Sequence, residues 1–291
     1  MEWPQFSSNL RGGESQSILE AFTPDPQVDV RRMRVVMALS GGMDSTALLL
    51  RMLARGYSVT CISFNYGQRH IVELERAQKN ISYLASNGYT VEHIVVNLSS
   101  AMSSFTSTLT DSSTEVPEGH YEEEQMKQTV VPNRNAIFTS ILYGHALSIS
   151  TNEDCDVSLT LGVHSGDHAI YPDCRPEFYN QLMQALDTGN WGSERIMIDL
   201  PYVDSDKEGI LKDALDSCEN LGLDFDIVFA NTNTSYNPDS EGRSSGKTGS
   251  DIERILAFHA IGRADPVEYV DEWTTVLEQA LRIENEYEAL Q

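Results

Sequence analysis

Apolar residues in this chain come as short runs set between longer stretches of helical period. Val35-Val36-Met37-Ala38-Leu39 is continuous, too short for a helix, and bounded by Arg34 and Ser40. It reads as strand 34–39, buried on both faces. A helix over 44–55 follows, and Gly56 stands where a helix-ending glycine belongs. Strand 57–64, helix 71–86 closed by Asn87-Gly88, and strand 90–97 continue the alternation. Such a βαβαβ order predicts a parallel sheet with right-handed crossovers, and ligands at the carboxyl ends of its strands.

Downstream the pattern loosens. Residues 99–130 are Ser/Thr-rich, then acidic at Glu122-Glu123-Glu124, and a loop of that length is read as a lid or mobile segment. Helix 133–149, strand 157–162, a dense polar stretch over 162–178, helix 176–187, strand 196–200, helix 206–221 and strand 226–230 follow. A polar stretch, 231–250, then leads to helix 251–261 and a terminal helix, 266–289. Residues 1–33 are rich in Pro, Ser, Gly and charge, with one short helix at 15–22. They are expected to form an arm outside the core. The expected organisation is therefore an arm, 1–33, an α/β unit, 34–230, and a C-terminal loop with helices, 231–291.

Composition narrows the classes. Of 291 residues 40% are hydrophobic, enough for a substantial core, yet no apolar run approaches a membrane span. The start, Met1-Glu2-Trp3-Pro4, has neither the basic nor the apolar part of a signal peptide. Forty-four acids against 20 bases give a net charge of −24, which repels nucleic acid and anionic membranes. Cys61, Cys155, Cys174 and Cys218 are scattered, as expected of reduced cytoplasmic thiols.

The candidate chemistry gathers at the predicted strand ends. Ser40-Gly41-Gly42-Met43-Asp44-Ser45-Thr46 joins the first strand to the first helix. A Gly-rich turn there aims backbone N–H groups at an anion beside the positive end of a helix dipole. The hydroxyls of Ser40, Ser45 and Thr46 can donate, and Asp44 would repel a bare phosphate, which suggests a bridging Mg²⁺. The plainer alternative is a capped turn. Tyr66 and Gln68 close the second strand and can stack on, and hydrogen-bond to, a flat ring; a simple turn is the alternative. Arg134 opens a helix, where a cation is unfavourable without an anion beside it. Lys207 opens another after a strand, within reach of phosphates or as a solvated lysine. His164, Asp167, Tyr171, Asp173, Arg175 and Phe178 are the candidate substrate contacts of the polar stretch: carboxylates for paired N–H donors, an arginine for a carboxylate. Cys174 lacks a base and reads as packing. His164 and His168 lack a third ligand at metal spacing.

Together these stretches resemble the QueC family, the 7-cyano-7-deazaguanine (preQ0) synthases of the N-type ATP pyrophosphatase superfamily. The matching motifs are Ser40–Ser45, Tyr66–His70, Val131–Asn135 and Tyr171–Phe178, over about 34–266. The resemblance implies a Rossmann-like, adenine nucleotide alpha hydrolase-like fold, ATP as cosubstrate and a homodimer. Members adenylate 7-carboxy-7-deazaguanine, let ammonia displace AMP, and dehydrate the amide with a second ATP. A catalytically inactive deazaguanine- or nucleotide-binding module is the competing class.

The family's zinc pattern of four cysteines is not kept. Ser235, Ser245, Thr248 and Asp251 stand at those positions, so no zinc is expected and hydrogen bonds must hold the loop. QueC-like proteins of antiphage defence systems, including type IV CBASS, join a deazaguanine to a protein amine. The acceptor expected here is therefore ammonia or a protein amine, such as a partner's N-terminus.

Overall fold

The computed structural model describes residues 33–68, 72–109, 118–120, 124–235 and 237–289. The expected arm and its helix 15–22 lie outside the described residues, apart from Met33, as do Arg69, His70, Glu122, Glu123 and Tyr236.

Five strands form one parallel sheet: β1 (Arg34–Ala38), β2 (Ser58–Asn65), β3 (Glu92–Asn97), β4 (Val157–Thr160) and β5 (Ile196–Asp199), in the spatial order β3-β2-β1-β4-β5. The chain builds outward from β1 in one direction, then returns to its other side at β4. That reversal opens a crevice at the carboxyl ends of β1 and β4, where open parallel sheets take their ligands.

Alternation along β1 sorts its side chains between two cores. Val35 and Met37 join a cluster with α1 (Met43–Ala54) and α6 (Lys207–Leu221), while Val36 joins one with α4 (Arg134–Glu153) and α5 (Pro176–Gly189). Leu48, Leu49 and Leu50 are all buried, so α1 is an internal helix. Cys61, Cys174 and Cys218 are buried and Cys155 partly so, and all four are free thiols. Among the described residues no helix is long and apolar enough to cross a membrane.

The expected strand 226–230 is a helix, α7 (Phe225–Ala230). Asp224 caps it, accepting from the N–H groups of Asp226 (2.9 Å) and Ile227 (3.1 Å). Phe225, Val228 and Phe229 are buried at helical spacing and Ile227 is exposed, a period that five residues are too few to declare.

The last two long helices are α8 (Gly249–Ala260) and α9 (Trp273–Glu288). The terminal helix thus starts seven residues later than expected. The intervening segment pairs with the polar stretch instead: Val270 N donates to Ser244 O and Ser244 N to Glu268 O, both at 3.0 Å. The loop expected at 99–130 contains a short helix, α3 (Ser99–Met102), and a 3-10 turn at Glu124–Thr129. Met102, Leu109 and Val131 form a small buried cluster, so the described ends of this segment are packed down.

Candidate functional site

The turn after β1 is shaped by two close approaches. Gly41 has φ +87°, and a Cβ there would lie 2.1 Å from the carbonyl oxygen of Glu73 on α2 (Val72–Ser86). Only glycine fits. Gly162, just beyond β4, passes so close that a Cβ would meet the backbone of Asp44 and Ser45 at 3.2 Å. Ser40 and Ser45 brace the turn: Ser45 Oγ accepts from Ser40 N (3.2 Å) and lies 2.9 Å from Ser40 Oγ. Gly42 is the N-cap of α1, and no side chain caps that end. The first-turn N–H groups of α1 therefore face the crevice with their dipole, as an anion site requires.

Above this turn lies a cavity of about 250 Å³. Ser40, Gly42, Asp44, Ser45, Tyr66, Gln68, Arg134, His164, Asp167, Tyr171 and Lys207 line it, so most of the expected residues from five segments converge. Lys207 is buried at the first turn of α6, not solvated. Its Nζ donates to Asp44 Oδ2 at 3.0 Å, and lies 3.0 Å from His164 Nε2 and 3.7 Å from Glu253 Oε2. Burial alone would lower the Lys207 pKa, but the carboxylates of Asp44, Glu253 and Asp167 outweigh it and raise it above the ordinary value. Asp44 shows the reciprocal effect. Burial pushes its carboxyl up, Lys207 and His164 push it down further, and the net shift is downward. Asp44 Oδ1 is buried with no hydrogen-bond partner.

His164 accepts from Gly166 N through Nδ1 at 3.1 Å. His164 Nε2 lies 3.5 Å from Asp167 Oδ2 and 3.9 Å from Asp44 Oδ2. Arg134, opening α4, places its guanidinium 5.8 Å from the Tyr171 ring centroid, and its charge opposes the rise that burial imposes on the Tyr66 pKa.

Other expected residues sit elsewhere. Gly41 supports the turn from behind, and the Thr46 hydroxyl is buried inside α1 without a partner. Asp173 Oδ2 accepts from Asn135 N at 3.3 Å, where a carboxylate favours a helix N-terminus. Arg175 Nε donates to His168 O at 2.8 Å, and Phe178 packs edge-on to Tyr179. None of these five lines the cavity. Gln68 lines it but spends its amide on its own turn, accepting from Tyr66 N (2.9 Å) and donating to Phe64 O (3.2 Å). The Cys174 thiol is pushed well up by burial, in keeping with packing.

Among the lining residues that escape sequence reasoning are Glu73, Asn233 and Glu253. Burial pushes Glu73 up to about 7, against the opposing pull of Arg134 and a hydrogen bond with Asn233. Asn233 N in turn donates to Gly41 O at 2.9 Å. Each had a bland reading: an acid in a first turn, an amide in a polar stretch, a charge on a helix surface.

Ser235, Ser245, Thr248 and Asp251 do converge, as a hydrogen-bond cluster. Asp251 Oδ2 accepts from Ser235 Oγ (3.1 Å), Ser245 Oγ (2.9 Å) and Thr248 N (3.2 Å), and Thr248 Oγ1 accepts from Asp251 N (3.3 Å). The last two bonds form a capping box at the start of α8. Among the described residues no group of three or more His, Cys, Asp or Glu side chains is arranged to hold a metal ion.

The model of the family described as "Queuosine biosynthesis protein QueC" matches residues 34–262. The 7-cyano-7-deazaguanine synthase of Methanoregula boonei is 41% identical over 237 residues, covering 81% of this chain and 99% of that protein. That of Psychromonas ingrahamii is 41% identical over 239 residues, 82% and 98%. That of Alteromonas mediterranea is 42% identical over 235 residues, 81% and 98%.

Proposed function

The chain belongs to the QueC family, and on that premise we propose that it is an ATP-dependent ligase that activates 7-carboxy-7-deazaguanine and passes the acyl group to nitrogen, making 7-cyano-7-deazaguanine. The observation that carries this reading is the buried Lys207–Asp44 pair, 3.0 Å apart, set on a glycine turn at an uncapped helix N-terminus. An inert binding module has little use for a buried lysine held charged beside that turn.

The substrate carboxylate attacks the α-phosphorus of ATP, forming the acyl adenylate as the bond to pyrophosphate breaks. The first-turn N–H groups of α1 and the Lys207 ammonium meet the charge that grows on the departing oxygens. Arg134, against Tyr171 and Tyr66, holds an anionic part of the substrates on the opposite wall. Ammonia then attacks the acyl carbon, AMP leaves, and a proton is released. The amide oxygen then attacks the α-phosphorus of a second ATP, pyrophosphate leaves, and loss of AMP and two protons gives the nitrile.

Mg²⁺ fits beside Asp44, whose Oδ1 is buried and unpartnered, because a hard cation takes carboxylate oxygen. Bound there, it would offset the triphosphate charge. The Asp251 cluster fits no zinc: its donors are hydroxyls, a carboxylate and an amide N–H. We also take the enzyme to be a homodimer, from the family resemblance, which light scattering tests.

The acceptor is the finer question. The loop around Asp251 departs from the family's four cysteines, and on that departure the acceptor stands as ammonia, giving the nitrile, or a protein amine, giving an amide in a defence system. The test is incubation with ATP, Mg²⁺, 7-carboxy-7-deazaguanine, ammonium and candidate partner proteins. Acid-dependent pyrophosphate release is expected; its absence overturns the ligase reading. Mass spectrometry then separates free nitrile from a protein adduct, and nitrile alone rejects the protein acceptor.

A further inference from the structure

Glu253 has no place in the steps above, yet its carboxylate enters the cavity from the C-terminal part of the chain. The geometry points to Glu253 as the positioning residue for Lys207: it anchors the ammonium over the glycine turn when Asp44 is engaged with the nucleotide. This inference rests on the ligase reading and adds a residue to it.

Lys207 needs such an anchor. A lysine side chain is long and flexible, and its aim is set by its partners. Of the groups around Nζ, His164 brings no negative charge: its Nε2 accepts from the ammonium only in the tautomer that carries the proton on Nδ1, where Gly166 N would lose its acceptor. A ring nitrogen 3.0 Å away leaves the ammonium's charge to be balanced by the carboxylates beside it. Asp167 Oδ2 lies 3.5 Å from Nε2 and serves the ring. Asp44 serves Lys207 in this state, but it stands at the turn where the triphosphate arrives. Once its oxygens are drawn into binding the nucleotide, Glu253, 3.7 Å away, is the remaining carboxylate paired with Lys207 among the described residues.

Glu253 has the marks of a group held for this purpose. Its Oε2 is buried with no hydrogen-bond partner, a state that is unfavourable for a carboxylate and needs a compensating role. Its Oε1 lies over Gly166, where a Cβ would come within 2.8 Å, so the bare glycine makes room for it. Its helix cannot drift. Two residues before it Asp251 gathers three donors, and one residue after it Arg254 is bound to Asp265. The serine, threonine and aspartate cluster and the buried arginine thereby set where the Glu253 carboxylate stands.

The experiment compares Glu253→Gln and Glu253→Asp with the wild type, in acid-dependent pyrophosphate release and in MgATP binding. Glu253→Gln is expected to lower kcat about tenfold, short of the ~10²-fold that a 1 Å misplacement can cost. KM for the acid should stay within about twofold, because no substrate contact is removed. Glu253→Asp, which keeps the charge one methylene further back, should recover part of kcat; it carries the same test if the glutamine variant fails to fold. The decisive arm repeats the change in a Lys207→Gln background. There Glu253 has no ammonium to hold and only repels phosphate, so Glu253→Gln should tighten MgATP binding, whereas with Lys207 present it should not. Wild-type kcat in Glu253→Gln, or the same tightening in both backgrounds, overturns the inference. A wild-type enzyme that releases no pyrophosphate overturns the ligase reading instead, and the MgATP arms still decide Glu253.

Discussion

Arg254 and Asp265 meet through two hydrogen bonds, Nε to Oδ2 at 2.6 Å and Nη2 to Oδ1 at 2.9 Å, and both side chains are buried. Thr232, Thr234 and the carbonyl of Phe229 take the remaining guanidinium donors, and Tyr269 donates to the same carboxylate. The pair thus ties α8 to the end of α7 and to the segment before α9. Removing one member strands a buried charge, at a cost of about 3–5 kcal/mol. Asp265→Ala should lose stability on that scale in urea unfolding, and the paired change Arg254→Met with Asp265→Leu should lose less than Asp265→Ala alone.

Asp251 offers a contrast between shape and charge. Asp251→Ala leaves three donors without an acceptor and should destabilise by about 2 kcal/mol or more. Asp251→Asn keeps one oxygen for those donors and should cost far less. Burial raises the Asp251 pKa despite the opposing hydrogen bonds of Thr248, Ser245 and Ser235. The folded protein therefore holds that proton more tightly than the unfolded chain, and acid should not loosen the cluster. Elemental analysis of the wild type should find no stoichiometric zinc, and one zinc per chain would refute the hydrogen-bonded reading.

Glu73 makes a pH prediction with a definite sign. Its ordinary value is 4.5, and burial pushes it to about 7 in the folded protein. The folded state binds the proton more strongly, so this group's contribution to stability is fully present below about 4.5 and is lost as pH rises through about 7. Glu73→Gln should flatten that part of the stability profile. Unfolding at pH 5 and pH 8 in both proteins measures it; an unchanged slope would remove Glu73 as its source.

Gly41→Ala should abolish turnover at a stability cost of ~2 kcal/mol or more, since φ is +87° and backbone, not a side chain, fills the space. Asp44→Ala should instead fold and fail to release pyrophosphate. Circular dichroism with the pyrophosphate assay separates the two. A Gly41→Ala protein with wild-type activity would mean that the turn opens freely.

The sequence made the phosphate turn legible because a continuous apolar run, two glycines and an apolar helix leave few arrangements. Lys207 and Arg134 were legible as cations at helix starts, and both line the cavity. Asp173, Arg175 and Phe178 belonged to the densest motif, yet they pack beside the cavity and hold its walls. Density of polar residues marks a structured loop without saying which side chains face inward. The helix Phe225–Ala230 was misjudged because Asp224 decides it, and capping competes with β-propensity only through geometry. Glu253 left no trace, since its environment is made by residues far away in the chain.

The hydrogen bond from Asn233 N to Gly41 O has a consequence for how small this enzyme can be made. A chain cut after α7 would keep every strand of the sheet, the glycine turn and Lys207. It would lose Asn233, Glu253 and the cluster that steadies them, and one wall of the cavity would become water. The parallel sheet is a complete nucleotide cradle in outline only; the last fifth of the polypeptide closes it.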